Sequence, residues 1–139
     1  MRFEAGDSLP AVHADQSMLE QVMVNLLLNA LDAVQRSPSR HSPSHEAGSI
    51  VLRTSHDEAL SQVVITLLDD GPGIPETLCT RIFEPFFTTK EPGEGTGLGL
   101  TIAYGLVSEM GGLLEVQSPL RDADGGTAFH IILPHAPVA

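Results

Sequence analysis

Four groups of residues in this chain carry types and spacings suited to chemistry. Asp69 ends an apolar run and is followed by Asp70-Gly71-Pro72-Gly73-Ile74, a turn with two glycines around a proline. Lys90, the only lysine, lies in a Gly/Pro-punctuated loop. Gly95, Thr96, Gly97, Leu98, Gly99 and Leu100 then open an apolar segment. Far upstream, Asn25, Asn29 and Asp32 fall at i, i+4 and i+7 of a helical pattern and share one stripe. An acid can read a base edge, glycines admit close backbone approach, a cation meets phosphate, and free N–H groups at a helix start attract anions. These are the parts of a nucleotide pocket.

The elements that must position them follow from periodicity. Asp15 stands where an N-cap belongs, and apolar residues recur at Leu19, Val22, Met23, Leu26, Ala30 and Val34, which predicts a helix from Gln16 to about Gln35. Ile50 to Thr54 and Val63 to Leu68 read as antiparallel strands, the second delivering Asp69 to the sheet end. Pro75 to Ile82 suits a short helix, and Gly97 to Met110 a second long one closed by Gly111-Gly112. Leu113 to Gln117 and Thr127 to Leu133 form a last strand pair, while Met1 to Pro10 is an edge strand or lead-in and Ala11-Val12-His13 a brief strand. The expected class is α+β: a two-layer α/β sandwich with helices on one face of a mixed, mostly antiparallel sheet.

At 139 residues the chain is read as one domain. Its 42% hydrophobic content supports a folded core, which only 4% aromatic residues leave to aliphatic side chains. A formal charge of −11 argues against nucleic acid or an anionic membrane as main partner, so an anion would need local attraction from Lys90, Arg81, helix ends or a metal ion. Cys79 is alone, which excludes an internal disulfide and suits a reducing cytoplasm; no His or Asn is arranged to make it a nucleophile. No apolar run reaches the roughly 18 residues of a membrane span. His41 and His45 are spaced by four, but Pro38 and Pro43 deny them a helix, so they read as loop residues and not a metal pair. His56, His130 and His135 read as structural or solvated.

A lone Gly-x-Gly-x-Gly is weak, and here it follows a loop, not a strand, which disfavours a Rossmann unit; no Walker phosphate loop is present. Four blocks in order, however, resemble the catalytic and ATP-binding domain of sensor histidine kinases, within the GHKL ATPase superfamily and its Bergerat fold. Gln21-Val22 through Asn25-Leu26-Leu27 to Asn29-Ala30 resembles the N box, and Asp69 to Ile74 the first glycine box. Ile82-Phe83-Glu84-Pro85-Phe86-Phe87 with Thr88-Thr89-Lys90 resembles the F box, and Gly95 to Leu100 the second glycine box. The F-box form is most similar to the branch of nitrogen-regulation and dicarboxylate sensors.

The resemblance implies a set of roles. Asp69 would accept from the adenine amine with support from Thr127, Gly71 and Gly73 would let base and sugar pack on backbone, with Ile74 beside them, and Asn29, helped by Asn25, would offer oxygen to Mg²⁺. Lys90 would reach the phosphates, and the N–H groups from Gly97 to Leu100 would cradle them. Phe83, Phe86 and Phe87 would anchor the lid by packing. Gyrase-like and chaperone members carry a Glu base where this chain has Asn25, so transfer to an external acceptor is expected over hydrolysis. Asp32 replaces the basic residue of many histidine kinases and leaves phosphate steering to Lys90. The implied partners are a phosphoacceptor helical hairpin of the same kinase, absent from these residues, and a response regulator. A clamp-type ATPase, a non-catalytic nucleotide sensor and an α/β domain with incidental glycines are the competing readings.

Overall fold

The structure is a computed structural model that describes residues 1–6, 9–36, 49–88, 97–119 and 125–135. In chain order its elements are β1 (Arg2–Glu4), α1 (Gln16–Arg36), β2 (Ile50–Asp57), β3 (Gln62–Asp69), a single 3-10 turn (Glu76–Leu78), α2 (Gly99–Glu109), β4 (Leu113–Gln117) and β5 (Thr127–Pro134). The five strands form one sheet in the order β1-β2-β3-β5-β4. β1 runs parallel to β2, with α1 as the crossover between them, and every other pair is antiparallel. The mixed sheet with helices layered on one face agrees with the expected class.

The stripe Val22, Leu26, Ala30 and Val34 is buried, as its four-residue spacing requires, and meets Leu67, Phe129, Ile131 and Leu133 from the inner face of the sheet. Ala103 and Val107 bring α2 against the same core. Asp15 caps α1, its Oδ1 accepting from the Met18 N–H at 2.9 Å. Gly111, at φ 78°, ends α2 as a left-handed C-cap. On the opposite sheet face Thr66 Oγ1 and His130 Nδ1 lie 2.9 Å apart, giving His130 the structural place expected for it.

Several boundaries differ from expectation. The β2–β3 hairpin runs to Asp57 and from Gln62, because ladder pairing continues past the last buried side chain. Gly97 precedes α2 and sits at φ 70°, a left-handed conformation outside the helix. The helix expected from Pro75 to Ile82 is instead a chain of tight turns, with Leu78, Cys79 and Arg81 N–H groups each bonded three residues back. Val12 makes only an isolated bridge to His135. Among the described residues no helix is long and apolar enough to cross a membrane.

Candidate functional site

The C-terminal end of β3, the Asn25-Asn29-Asp32 stripe of α1, the start of α2 and the first residue of β5 surround one cleft of about 380 Å³. That volume is in the range of small-molecule sites. Asn25, Asn29, Asp69, Gly73, Ile74, Gly97, Gly99, Leu100 and Thr127 all line it. Gly71 and Leu98 do not. Lys90, Gly95 and Thr96 fall outside the described residues, as do His41 and His45.

Asp69 is buried, 4% exposed, and faces Thr127 across the β3–β5 ladder. Its Oδ1 accepts from the Gly71 N–H at 2.9 Å. Burial pushes the carboxyl up to about 6, further raised by the neighbouring Asp70 charge and held back by the Gly71 N–H. Asp70 works elsewhere, since its Oδ1 accepts from the Ser49 N–H at 2.9 Å and fastens the start of β2.

On α1, Asn25 is tied at both ends of its amide. Its Oδ1 accepts from Gln21 Nε2 at 2.8 Å and its Nδ2 donates to the Gly99 carbonyl at 3.1 Å, binding the asparagine helix to the first turn of α2. Asn29 lies one turn on in the cleft wall, and its amide makes no hydrogen bond with the described residues. Asp32 and Arg36 also line the cleft and pair with each other at 3.1 Å. The Arg36 guanidinium therefore offsets the acid that stands where a base was expected. Arg36 was missed in the sequence; its signal was the Asp-to-Arg spacing of four in the last turn.

Two expected roles need correction, those of Phe86 and Arg81. Gly71 packs against α1: a Cβ there would lie 2.8 Å from Ala33 Cβ and 2.9 Å from the Ala33 carbonyl. Gly71→Ala should thus cost about 1–3 kcal/mol of stability in urea unfolding. Gly99→Ala, with nothing within 4 Å of its added carbon, should cost none. Phe86 does not anchor the lid, since it is 72% exposed at φ 65°, whereas Phe83 and Phe87 pack against the core. Arg81 is not in the cleft lining; its guanidinium lies 4.8 Å over the Phe87 ring and its Nε reaches Glu84 at 3.5 Å.

The stems of the segment between the F box and α2 are joined. The Phe86 N–H donates to the Gly97 carbonyl at 2.9 Å, and Thr101 Oγ1 donates to the Phe83 carbonyl at 2.9 Å. A side chain on Gly97 would collide with the Phe86 backbone. Burial and the nearby Glu76 charge hold the Cys79 thiol above the usual range, which lowers its thiolate fraction.

Residues 14–137 match the family described as histidine kinase-, DNA gyrase B-, and HSP90-like ATPase. This chain belongs to that family. Within this ATPase family its relatives are sensor kinases. It is 39% identical over 139 residues to the sensor kinase CckA of Brucella abortus, covering 96% of this chain and 14% of that protein. It is 37% identical to the sensor histidine kinase ZraS of Escherichia coli, covering 96% and 25%, and 38% identical to the sensory histidine kinase/phosphatase NtrB of Rhodobacter capsulatus, covering 94% and 35%. The chain thus spans about a seventh to a third of the curated relatives it matches. Among solved structures, the mycobacterial sensor histidine kinase MprB superimposes with TM-score 0.72 at 31% identity, covering 99% of this chain and 83% of that one. The nucleotide-free catalytic domain of ThkA gives 0.74 at 30%, covering 98% and 80%; full-length ShkA in complex with AMPPNP gives 0.74 at 31%, covering 99% and 26%. The chain is accordingly an ATP-binding catalytic domain of the sensor histidine kinase type, and its fold is the one expected.

Proposed function

We propose that this domain holds ATP with its γ-phosphoryl group toward a histidine on a separate helical hairpin and transfers that group to an imidazole nitrogen. The observation carrying this reading is that Asp69 at the end of β3, Asn29 on α1 and Gly97, Gly99 and Leu100 at the start of α2 line one cleft. Asp69 accepts from the adenine amine, Thr127 stands beside it, and the backbone at Gly73 and Ile74 packs the base. The start of α2, including Leu98, and the preceding Gly95 and Thr96 supply N–H groups to the phosphates.

A hard cation such as Mg²⁺ suits the amide oxygen of Asn29, which is given to no neighbour among the described residues. When bound, it would neutralise phosphate charge and leave its remaining positions to water and phosphate oxygens. Asn25 contributes by holding α1 to α2, so that the metal-facing and phosphate-facing elements keep their spacing. No ionised base occupies the Asn25 position, and Asp32 is paired with Arg36, which favours transfer over hydrolysis.

In transfer, the acceptor nitrogen lone pair attacks phosphorus, the bond to the bridging oxygen breaks, and ADP leaves with that electron pair. Positioning and charge neutralisation supply most of the rate. The phosphoryl group then passes to an aspartate of a response regulator. The test is incubation with γ-labelled ATP and a separately produced helical hairpin. Acid-labile label should appear on the hairpin, and none on a hairpin lacking its histidine; rapid phosphate release without transfer would replace this reading by an ATPase. Lys90→Ala should weaken ATP binding about tenfold while leaving adenosine unchanged, as read by calorimetry. Equal losses would place Lys90 away from the phosphates.

A further inference from the structure

Ser118, at the end of β4, lies outside the four sequence blocks and outside the cleft lining, yet its hydroxyl is the hub of the wall behind the base site. It is 7% exposed. The Ile74 N–H donates to Ser118 Oγ at 2.7 Å, Ser118 Oγ lies 2.8 Å from the Gly126 carbonyl oxygen, and 2.9 Å from Thr127 Oγ1. Three elements that frame the base meet on this one atom: the turn after β3, the end of β4 and the start of β5.

The proton count at that atom has one solution. A hydroxyl has one proton and two lone pairs. A carbonyl oxygen cannot donate, so at 2.8 Å the Ser118 proton must lie toward Gly126. One lone pair is taken by the Ile74 N–H. The other is then the acceptor for the Thr127 hydroxyl, whose proton points away from the cleft. Thr127 consequently presents only lone pairs to the ligand, next to the Asp69 carboxylate, itself an acceptor.

We infer that Ser118 is a positioning residue for nucleotide selection: it withdraws the Thr127 proton, making the base-reading wall all-acceptor and selecting 6-aminopurines over 6-oxopurines. This deepens the proposed function and rests on the cleft being an ATP site. A 6-amino group donates to Asp69 and, directly or through water, to Thr127. A 6-oxo group sets its own lone pairs against theirs. Removing the Ser118 hydroxyl frees the Thr127 proton to turn into the cleft and donate to that oxygen.

The measurement is the ratio of ATP to inosine triphosphate affinity, by calorimetry, since the two bases differ at position 6 without an added 2-amino group. Ser118→Ala should narrow the ratio about tenfold. Thr127→Val, which deletes the hydroxyl at nearly constant shape, should also narrow it, and Ser118→Ala added to Thr127→Val should change the ratio no further. Should Ser118→Ala fail to fold, the Thr127→Val arm decides. Equal weakening of both nucleotides, or unchanged ratios in chains that still bind ATP, would overturn the inference and leave the kinase reading standing. Failure of the unaltered chain to bind ATP would overturn both.

Discussion

Asp69→Asn is expected to leave the domain folded and at least as stable at pH 8, while lowering ATP affinity about 100-fold or more. The reason lies in which oxygen is committed. Oδ1 already accepts from the Gly71 N–H, and an asparagine oxygen keeps that bond. The asparagine NH2 then takes the remaining place, as a donor facing the donors of the adenine amine. Charge loss and donor opposition act together, and calorimetry of ATP binding reads the sum. Undiminished affinity would remove Asp69 as the base reader.

The same substitution separates binding from stability. The folded carboxyl titrates at about 6 against an ordinary value of 3.8, so keeping it ionised in the nucleotide-free domain costs about 3 kcal/mol at neutral pH. Because the folded value is the higher one, this group's contribution is fully present below about pH 4. It is lost as pH rises through about 6 and is flat above. Urea unfolding of the nucleotide-free chain should show that decline between pH 4 and 6, and Asp69→Asn should abolish its share of it.

Asn29→Ala should make ATP binding insensitive to Mg²⁺ and slow phosphoryl transfer about 100-fold or more. Its side chain lines the cleft beside the buried Leu26 and Ala30, and its amide supports no other described group. Alanine is also the better helix former, so stability should hold or rise slightly. Titrations with and without Mg²⁺ check the metal effect. Retained metal dependence would assign the ion to another residue, and Asp32 would be the next to test.

The long-range architecture was legible where a face is buried repeatedly. Val22, Leu26, Ala30 and Val34 write the inner stripe of α1 at constant spacing, and the apolar run before Asp69 writes a central strand. Most of the residues that line the cleft were legible as ordered blocks. What was not legible depends on contacts between distant segments. Gly71 is required by its close approach to Ala33 on α1, a contact no local pattern shows. Phe86 sits in a run of phenylalanines that all read as packing anchors of the lid, but it lies exposed on a left-handed backbone. The part played by Ser118 needs the end of β4, the turn after β3 and the start of β5 at one point, and no local pattern encodes such a meeting. The turns from Pro75 onward keep Ile74, Leu78 and Ile82 four apart, which resembles a helix although the backbone bonds are three-residue ones.

The Phe86–Gly97 clasp has a consequence for how this domain can be altered. Both stems are fastened to each other and to the body, so the folded core does not depend on the number of residues strung between them. Doubling such an insert adds only about 0.6 kcal/mol of closure entropy. Changing the number of residues strung between these stems should therefore retune turnover while leaving the scaffold that carries them intact.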